Sequence, residues 1–363
     1  MALNLASPGI QVREVDLTIG RVDATSGSIG AIVAPFTKGP VEEPQLIESE
    51  EDLLQTFGQP YSVDNHYEYW LTASSFLAYG GTMQVIRAND DGLKNATDDG
   101  SPELLIKSAT HYNQLGYDDN TIVGTVVAAK TPGSYANGIR VSIIDGKADQ
   151  ILTVAGISTV GMGITQSVAN RVVAGAGGTS LLDGYLKGIV TGIPESGKAE
   201  VKVISHVSAA GTVTNVDYQA NGVYCFKPSE IITPIAAGAN VGTGSTQVVT
   251  TQVDWFEQQE IVLTTKDGNG NPIKLEWDAL ADAPGTSAYA QARGARHDEL
   301  HVVVIDDKGE ITGNAGTILE KHLNLSKATD AEYSVGSTAY WRKYLANVSQ
   351  YIYGGAGPTG ITT

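Results

Sequence analysis

The sequence contains a single cysteine, Cys225, among its 363 residues, which excludes an intrachain disulfide framework and a four-cysteine zinc site. Basic residues are also scarce: 23 Lys and Arg stand against 40 Asp and Glu, and the formal net charge is −17. No stripe of basic side chains is present to neutralise phosphates. No apolar run reaches the roughly 18 residues that a membrane span requires. We therefore expect a soluble, unexported chain with neither nucleic acid nor a membrane among its partners.

Glycine is abundant, with 42 residues, while aromatic residues make up only 7% of the chain. This composition is typical of many turns that join short strands. The length suffices for two or three domains, and the hydrophobic content of 42% can fill ordinary cores.

Residues 28 to 88 predict a small α/β layer, because they read in the order strand, helix, helix, strand. The segment "SIGAIVAPF" predicts a buried strand, and "TMQVIRA" predicts the strand that closes the layer. Between them, Ser49 with Asp52 three residues later is an N-cap signature, and Gly58 ends that helix. In "NHYEYWLTASSFLAYGG", an apolar stripe of Tyr67, Trp70, Leu71, Ser74 and Leu77 predicts a second helix that packs on the core.

The composition changes between about residues 147 and 253, where Gly, Ser, Thr, Ala and Val dominate around short apolar runs such as "EVKVISHV" and "GVYCF". This pattern predicts an all-β insertion, since a sequence pattern with helix-forming and aromatic residues returns near "DWFEQQEIVLTT". Further along, "DELHVVVIDDKGEITG" predicts a hairpin with its turn at Asp307-Lys308-Gly309 and Ile311 beyond the turn. The fold class predicted from these patterns is an α/β (α+β) core with an inserted all-β domain.

The first residues, "ASPGIQVREVDLT", predict an extended strand arm. Ile10 and Val12 point to one face of an extended segment, whereas Val15 and Leu17 point to the opposite face. The change of face at Glu14 is typical of two short strand halves or of a strand with a bulge. No tight hairpin signal follows, so these residues alone leave open what the arm pairs with.

"HDELH" places His297 and His301 four residues apart, which is the histidine spacing of a zinc-protease helix. That motif requires a glutamate directly after the first histidine, and Asp298 stands there instead. His301 also opens a predicted β run, in which residues four apart are not helical neighbours. We therefore predict no metal site at this motif.

Two further loops and the lone cysteine favour structural roles. "DGNGNP" has the alternating oxygens of a calcium loop, but Pro272 stands where glycine is needed and Asp278 where a bidentate glutamate is needed, so a hairpin turn is favoured. "AGAGGTSLLDG", residues 174 to 184, lacks the phosphate-binding lysine and favours a flexible loop. Cys225 is expected to be a small hydrophobic residue on a strand. We predict no catalytic, cofactor-binding or metal-binding residue, no cofactor, and no enzymatic activity.

Several segments together resemble the tail sheath proteins of contractile-tailed bacteriophages, especially the cyanophage-like branch of the myophages. They cover roughly half of the residues, and the region from 147 to 253 matches poorly. The segments are "LASPGIQVREVDLT", the block from "TSGSIGAIVAPFTKGPVEEP" through "GTMQVIRA", "AAKTPGSYANGIRVSII", and the run from "WDALADAPGTSAYAQARGARHDELHVVVIDDKGEITG" through "STAYWRKYLANVSQYIYGG".

The resemblance implies a division of the chain into four parts. Residues 1–24 would be the extended N-terminal arm, 25–146 the first part of the sheath core, 147–253 an outward-facing inserted β-rich domain, and 254–363 the continuation of the core. Proteins of this family continue past a "QYIYGG"-like point into a C-terminal domain that faces the tail tube. We therefore expect this chain to be a fragment, a truncated form or the product of an incomplete gene, and to be monomeric by itself.

The resemblance also implies an answer for the arm. In sheath proteins the arm leaves its own subunit and adds a strand to a sheet that neighbouring subunits form with their C-terminal region. Ile10, Val12, Val15 and Leu17 are the expected interface residues.

The implied function is that of a structural subunit of a contractile tail sheath. Such a subunit polymerises as a helix around the tail tube and contracts to drive the tube through the host envelope for genome delivery. The implied partners are neighbouring copies of the chain, the tail tube protein, and the baseplate and tail terminator proteins. The expected location is the virion tail, after assembly in the host cytoplasm. Two alternatives are a hydrolase with a subtilisin-like or Rossmann-like core, for which "HDELH" and the glycine-rich loops are the only support, and a β-rich surface adhesin.

Overall fold

A computed structural model describes residues 29–60, 66–98, 103–117, 122–175, 178–236, 239 and 242–356. The structure is a mixed α/β fold made mostly of strands, with few and short helices. The chain divides into two compact units. Unit 1 contains the residues up to Ala96 together with Glu103–Leu115 and Lys130–Tyr135, and unit 2 contains Thr97–Pro102, Gly116–Ala129 and the chain from Ala136 onward.

Unit 1 is a three-stranded sheet with helices packed on one face. Strand β1 pairs in parallel with β3, and β2 pairs antiparallel with the other side of β3, so the order is β1-β3-β2. The buried face of this sheet packs against the first two helices in one apolar cluster. The elements are β1 (Ile29–Ala34), β2 (Gln45–Ile47), α1 (Glu50–Phe57), α2 (His66–Ala78), β3 (Thr82–Arg87) and α3 (Ala109–Gln114).

The helix signals in this part of the sequence are confirmed. The Ser49 hydroxyl accepts a hydrogen bond from the Asp52 amide at 3.1 Å, and the Gly58 amide donates to Leu54 where α1 ends. The apolar stripe of α2 differs in detail from the prediction. Its buried positions are Trp70, Ala73, Ser74 and Leu77, while Tyr67 and Leu71 are exposed.

A buried arginine connects three turns of unit 1. Arg87, the last residue of β3, is 2% exposed. Its Nη1 donates to the carbonyls of Gly39 at 2.9 Å and Pro132 at 2.6 Å, and its Nη2 donates to that of Thr37 at 3.1 Å. Burial lowers the pKa of Arg87 to about 10, so the guanidinium stays charged at neutral pH. Gly133 makes the close approach possible, because its φ is +140° and an added Cβ would lie 2.5 Å from the Thr37 carbonyl.

In the described part of the chain, unit 2 contains the other strands and two short α-helices. The strands up to the end of the β-rich region are β4 (Val127–Ala129), β5 (Ile139–Asp145), β6 (Gln150–Val154), β7 (Gly163–Ser167), β8 (Val172–Gly175), β9 (Gly178–Leu181), β10 (Tyr185–Gly192), β11 (Lys198–Val207), β12 (Val213–Asn215), β13 (Ile231–Pro234) and β14 (Gln247–Asp254). The later elements are β15 (Glu260–Lys266), β16 (Pro272–Glu276), α4 (Ala288–Ala292), β17 (Glu299–Asp306), β18 (Thr317–Ser326), β19 (Glu332–Ser334), β20 (Ser337–Thr338), α5 (Trp341–Val348) and β21 (Ile352–Gly354).

Six antiparallel strands of unit 2 close into a barrel in the order β10-β7-β13-β14-β6-β11, because β11 also pairs with β10. We call these six strands the barrel. Apolar side chains from all six strands fill its interior, as in other small closed barrels. All six strands fall within residues 150–254, but the compact unit that contains them also includes the later chain. The proposed boundaries 147–253 of an inserted domain therefore stay a prediction.

A second sheet, in the order β18-β17-β5, has its central strand buried on both faces. Val303 and Ile305 join one apolar cluster with Trp255 and Trp277. The alternate residues Leu300, Val302 and Val304 join a different cluster with α5. This double burial explains the continuous apolar run in the sequence of β17.

Two of the predicted details of unit 2 are wrong. The strand that pairs with β17 begins at Thr317 instead of directly after Gly309, because the buried Asp306 carboxylate accepts hydrogen bonds from the amides of Ile311 and Thr312 and holds a longer loop. "GVYCF" forms no strand, since these residues lie in turns and an irregular segment. Cys225 is buried there, at 1% exposure.

Replacing Arg87 tests the contribution of the buried guanidinium to unit 1. We expect Arg87→Met to reduce the free energy of unfolding by about 3 kcal/mol, since three buried carbonyls lose their donor. Lys94→Met is the matched control, because it removes an exposed ion pair with Glu103 in the same unit and should cost less than about 1 kcal/mol. Calorimetric unfolding of both variants measures the difference, and equal losses would contradict the assigned role of Arg87.

Candidate assembly interface

The predicted arm residues Ile10, Val12, Val15 and Leu17 lie outside the described residues, so their interface role stays a prediction. The described chain begins at β1, a few residues after the predicted end of the arm. Among the described residues, β1 pairs only with β3, and its other edge is open.

One face of the unit 1 sheet is apolar and exposed. Ile29 and Val33 of β1 are 69% and 65% exposed, and Leu46 of β2 is 52% exposed. The register places these side chains on the same face, because Val33 is opposite Ile86 while Ala31 and Leu46 are both opposite Gln84. The prediction of a fully buried first strand is therefore wrong for this face.

The open edge of β1 lacks the usual protection against strand pairing. Exposed edge strands in natural proteins are commonly short or carry charge or proline. The sequence of β1, "IGAIVA", has six residues and neither charge nor proline, whereas β2 has three residues with Pro44 before it and Glu48 after it. Parallel pairs such as β1 and β3 are normally covered on both faces. The absence of charge and proline from β1, next to the predicted arm, was visible in the sequence and could have indicated an exposed pairing edge. We define Ile29, Val33 and Leu46 with the open edge of β1 as the β1 surface.

The residues of "HDELH" have structural contacts. The Asp298 carboxylate accepts hydrogen bonds from the Ser287 amide at 2.8 Å, from the Ser287 hydroxyl at 2.7 Å and from the Ser326 hydroxyl. Burial favours a higher pKa for Asp298, but these hydrogen bonds outweigh it, and the pKa lies below its usual value. Asp298 thus connects the start of α4 to the end of β18.

The two histidines of the motif have separate surroundings. His301 Nε2 donates to the Asp282 carbonyl at 2.8 Å, while its Nδ1 accepts from the Asn324 amide at 3.0 Å. His297 has a positive φ of 59° and precedes β17. Burial, reinforced by the nearby charges of Lys202 and Arg296, lowers the pKa of His297 to about 4. The two ring nitrogens of His301 thus both form hydrogen bonds with backbone groups, Nε2 with that of Asp282 and Nδ1 with that of Asn324.

The other candidate motifs also have structural contacts. Asp267 accepts hydrogen bonds from the amides of Asn269 and Asn271, both at 2.9 Å, in the turn between β15 and β16. The predicted hairpin turn is confirmed there. The prediction of a flexible loop for the glycine-rich segment is wrong in part, because β8 and β9 pair antiparallel there, with Gly175 opposite Gly178. Burial raises the pKa of the Cys225 thiol, which makes it a poorer nucleophile at neutral pH.

Within the described ranges, no group of three or more His, Cys, Asp or Glu side chains is placed to share a metal ion. In the same part of the chain, none of the helices has the length and apolar character that crossing a bilayer demands.

Comparison with known proteins confirms the resemblance to tail sheath proteins. The chain is 34% identical over 96 residues to the tail sheath protein of Enterobacteria phage T4, which is 26% of this chain and 14% of that protein. It is also 34% identical over 88 residues to the tail sheath protein of Vibrio phage KVP40, which is 24% of this chain and 13% of that protein. The matches thus span a small part of each relative's length. No family model matches the chain.

Among solved structures, the chain is similar to a sheath tail protein from Listeria innocua, with 15% sequence identity and a TM-score of 0.18. The match covers 63% of this chain and 35% of that chain.

The Asp298 network generates a prediction about acid stability. We expect Asp298→Asn to lower the free energy of unfolding by about 2 kcal/mol at neutral pH, because the amide cannot accept all of these hydrogen bonds. A lowered pKa in the folded state stabilises the fold above the unfolded value of about 3.9 and ceases to do so as the pH falls through the folded value. The difference between Asp298→Asn and the parent chain should therefore shrink below about pH 4.

Denaturant unfolding at pH values from 7 to 2 measures this difference. Asp278→Asn is the control, because Asp278 is exposed and its replacement should change stability by no more than about 0.5 kcal/mol. A constant difference between Asp298→Asn and the parent across the whole pH range would rule out ionisation of Asp298 as the cause.

Proposed function

We propose that this chain is a structural subunit of a contractile bacteriophage tail sheath, where it assembles with neighbouring copies around a tail tube. The observation that carries the proposal is the 34% identity to the tail sheath proteins of two phages. The surroundings of the candidate motifs agree with a structural role, since the polar side chains of "HDELH" and "DGNGNP" bind backbone and hydroxyl groups of the fold itself.

The proposed assembly uses strand addition by the arm. Ile10, Val12, Val15 and Leu17 would insert into β-structure of an adjoining copy, where main-chain hydrogen bonds provide cohesion and alternate side chains set the register. The β1 surface supports this proposal. The first described strand after the predicted arm is β1, and its sheet has an open edge and an exposed apolar face among the described residues. We further propose that this surface contacts a second copy in the polymer.

In the proposed function, the same subunits pack in two ways, one in an extended sheath and one in a contracted sheath. The sheath would assemble in the host cytoplasm in an extended form, between the baseplate and the tail terminator proteins, and would shorten when the baseplate triggers it. Arms that stay paired while the subunits rotate would keep the lattice connected during that change. The acidic surface is compatible with contacts to protein, since charge patterns bias which packing is favoured. If the barrel faces outward, the rest of the subunit would face the tail tube.

Removal of the arm tests the mode of assembly. We expect the full-length gene product to form tubes in negative-stain micrographs, and the variant without residues 1–20 to remain dispersed, because its main-chain pairing with neighbours is lost. A variant with Asp at positions 10, 12, 15 and 17 should behave like the deletion.

Changes at intervening polar positions of the same arm provide the matched control. Gln11→Ser and Arg13→Ser should leave tube formation intact, since these side chains are not the expected apolar contacts. Tubes formed without residues 1–20 would refute the arm, and dispersed particles from the parent protein under all assembly conditions would refute the sheath role itself.

A charge on the β1 surface tests its contact with a second copy. Val33→Lys should reduce tube yield several-fold, since a buried lysine at an interface is costly, while the thermal midpoint of the isolated chain stays within about 2 °C. Val335→Lys is the control, because Val335 is 101% exposed at the tip of the hairpin of β19 and β20. Electron microscopy gives the yield, and equal yields from both variants would exclude the β1 surface.

A further inference from the structure

The open edge of β1 offers main-chain hydrogen-bonding groups at alternate residues. The Ala88 amide donates to the Ala34 carbonyl at 2.9 Å, so the main-chain groups of Ala34 point toward β3. Because these groups alternate from side to side along a strand, those of Ile29, Ala31 and Val33 point toward the open edge. The side chains of the same three residues share the exposed face of the sheet. Among the described residues, no strand pairs with this edge.

The other face and the far end of β1 limit what this edge can accept. A Cβ on Gly30 would lie 2.8 Å from the Phe76 ring, so α2 packs directly on the other face of the strand. Pro35, directly after β1, has no amide to donate, and the row of donors ends before it. The edge therefore fits a short strand whose apolar side chains lie on the exposed face of β1.

The sequence of the arm becomes amphipathic once a single residue is set aside. Glu14 stands between "IQVR" and "VDL", and without it apolar and polar residues alternate strictly. A β-bulge accommodates such an extra residue, because two residues of one strand then oppose one residue of its partner. With Glu14 in a bulge, the four expected interface residues of the arm lie on one face, and Gln11, Arg13 and Asp16 lie on the other.

An antiparallel arrangement brings the arm and β1 into register. When Leu17 is opposite Ile29 and Glu14 is the extra residue, Val12 falls opposite Val33. The apolar side chains of the arm then lie on the exposed face of β1, where directly opposed apolar pairs stabilise a sheet. The change of face at Glu14 is therefore what this edge requires of a partner strand.

The chain between the arm and β1 is suited to close this pairing within one molecule. Residues 18–28 connect Leu17 directly to Ile29, whereas a parallel arrangement requires a crossover of about a dozen residues or more. A short connection also gives the arm a millimolar effective concentration at its own β1, which free neighbours in dilute solution do not reach. The arm of the same chain is therefore favoured as the first occupant of the edge.

We propose that in the unassembled chain the arm pairs antiparallel with its own β1, with Glu14 in a bulge, and that assembly requires the arm to leave this edge. The pairing protects the edge from other strands while the chain is free. Its effect on assembly rests on the proposed sheath function, whereas the pairing itself does not. The arm is then exchanged between its own β1 and a neighbouring copy, as in domain swapping.

Hydrogen exchange of the 363-residue chain tests the pairing. We expect the amides of Ile29, Ala31 and Val33 to exchange at least about tenfold faster in the variant without residues 1–20, because each loses a carbonyl partner. The β3 amides should keep the parent rate, since their partners are unchanged. Equal rates for the three β1 amides in both proteins would overturn the pairing. Protection that increases with protein concentration would overturn its intramolecular form.

Two deletions within the arm test the register. Removal of Glu14 alone leaves strict alternation without a bulge, so the Val33 amide should stay as protected as in the parent or better. Removal of both Arg13 and Glu14 moves the first half of the arm to the wrong face, and the Val33 amide should exchange as it does without the arm. Equal exchange of this amide in the two deletion variants would overturn the bulged register.

Ala31→Pro separates the pairing from the sheath function. Proline removes an amide that points to the open edge and leaves the hydrogen bonds between β1 and β3 in place. In the full-length gene product we expect Ala31→Pro to shorten the lag before tube formation several-fold, because a larger fraction of chains has a free arm. Ala31→Ser is the matched control, because it keeps the amide and should keep the parent lag.

The possible results of this experiment differ for the two proposals. A shortened lag in Ala31→Pro supports release of the arm as a step of assembly. A parent-like lag overturns that step, and so does a loss of tubes, since the polymer itself would then use the β1 edge. Failure of the parent protein to form tubes refutes the sheath role alone, because exchange at Ile29, Ala31 and Val33 still decides the pairing.

Discussion

The burial of β17 on both faces is the constraint on which the larger unit depends. Alternate side chains of this strand supply two separate apolar clusters, one with Trp255 and Trp277 and the other with Trp341 and Leu345. Substitutions at neighbouring positions of β17 therefore affect different cores. The polar groups at the ends of β17 are buried as well, so they need hydrogen-bond partners within the protein.

Carboxylates meet this need at the two ends of β17. Asp298, before the strand, accepts from Ser287 and Ser326, while Asp306, at its end, accepts from the amides of the following loop. Asp307 accepts from Arg140 Nε at 3.1 Å and from the Thr264 amide, which attaches β5 and β15 to the same point. These three carboxylates thus connect the sheet of β17 to the start of α4, to the loop after β17 and to β15.

Local signals in the sequence predicted local structure well. The Ser49 cap, the Gly58 stop and the turn at Asp267 depend on neighbours within a few residues, and each is confirmed. Signals that depend on distant pairing were less informative. The barrel closes through partners such as β6 and β14, about a hundred residues apart, and the loop after β17 depends on a buried carboxylate. Which face of β1 is covered depends on layering, which periodicity alone does not specify. The arm residues, as predictions, have no structural counterpart among the described residues.

The uncharged sequence of β1 also makes the chain prone to aggregation before it folds. Six apolar residues without charge or proline form the type of segment that stacks into cross-β fibrils. In the described part of the chain this strand is the first to leave the ribosome, whereas its partner β3 follows about fifty residues later. During that interval the nascent chain exposes an aggregation-prone segment. When the protein is produced at high concentration, we expect nascent chains to benefit from chaperones that cover this segment.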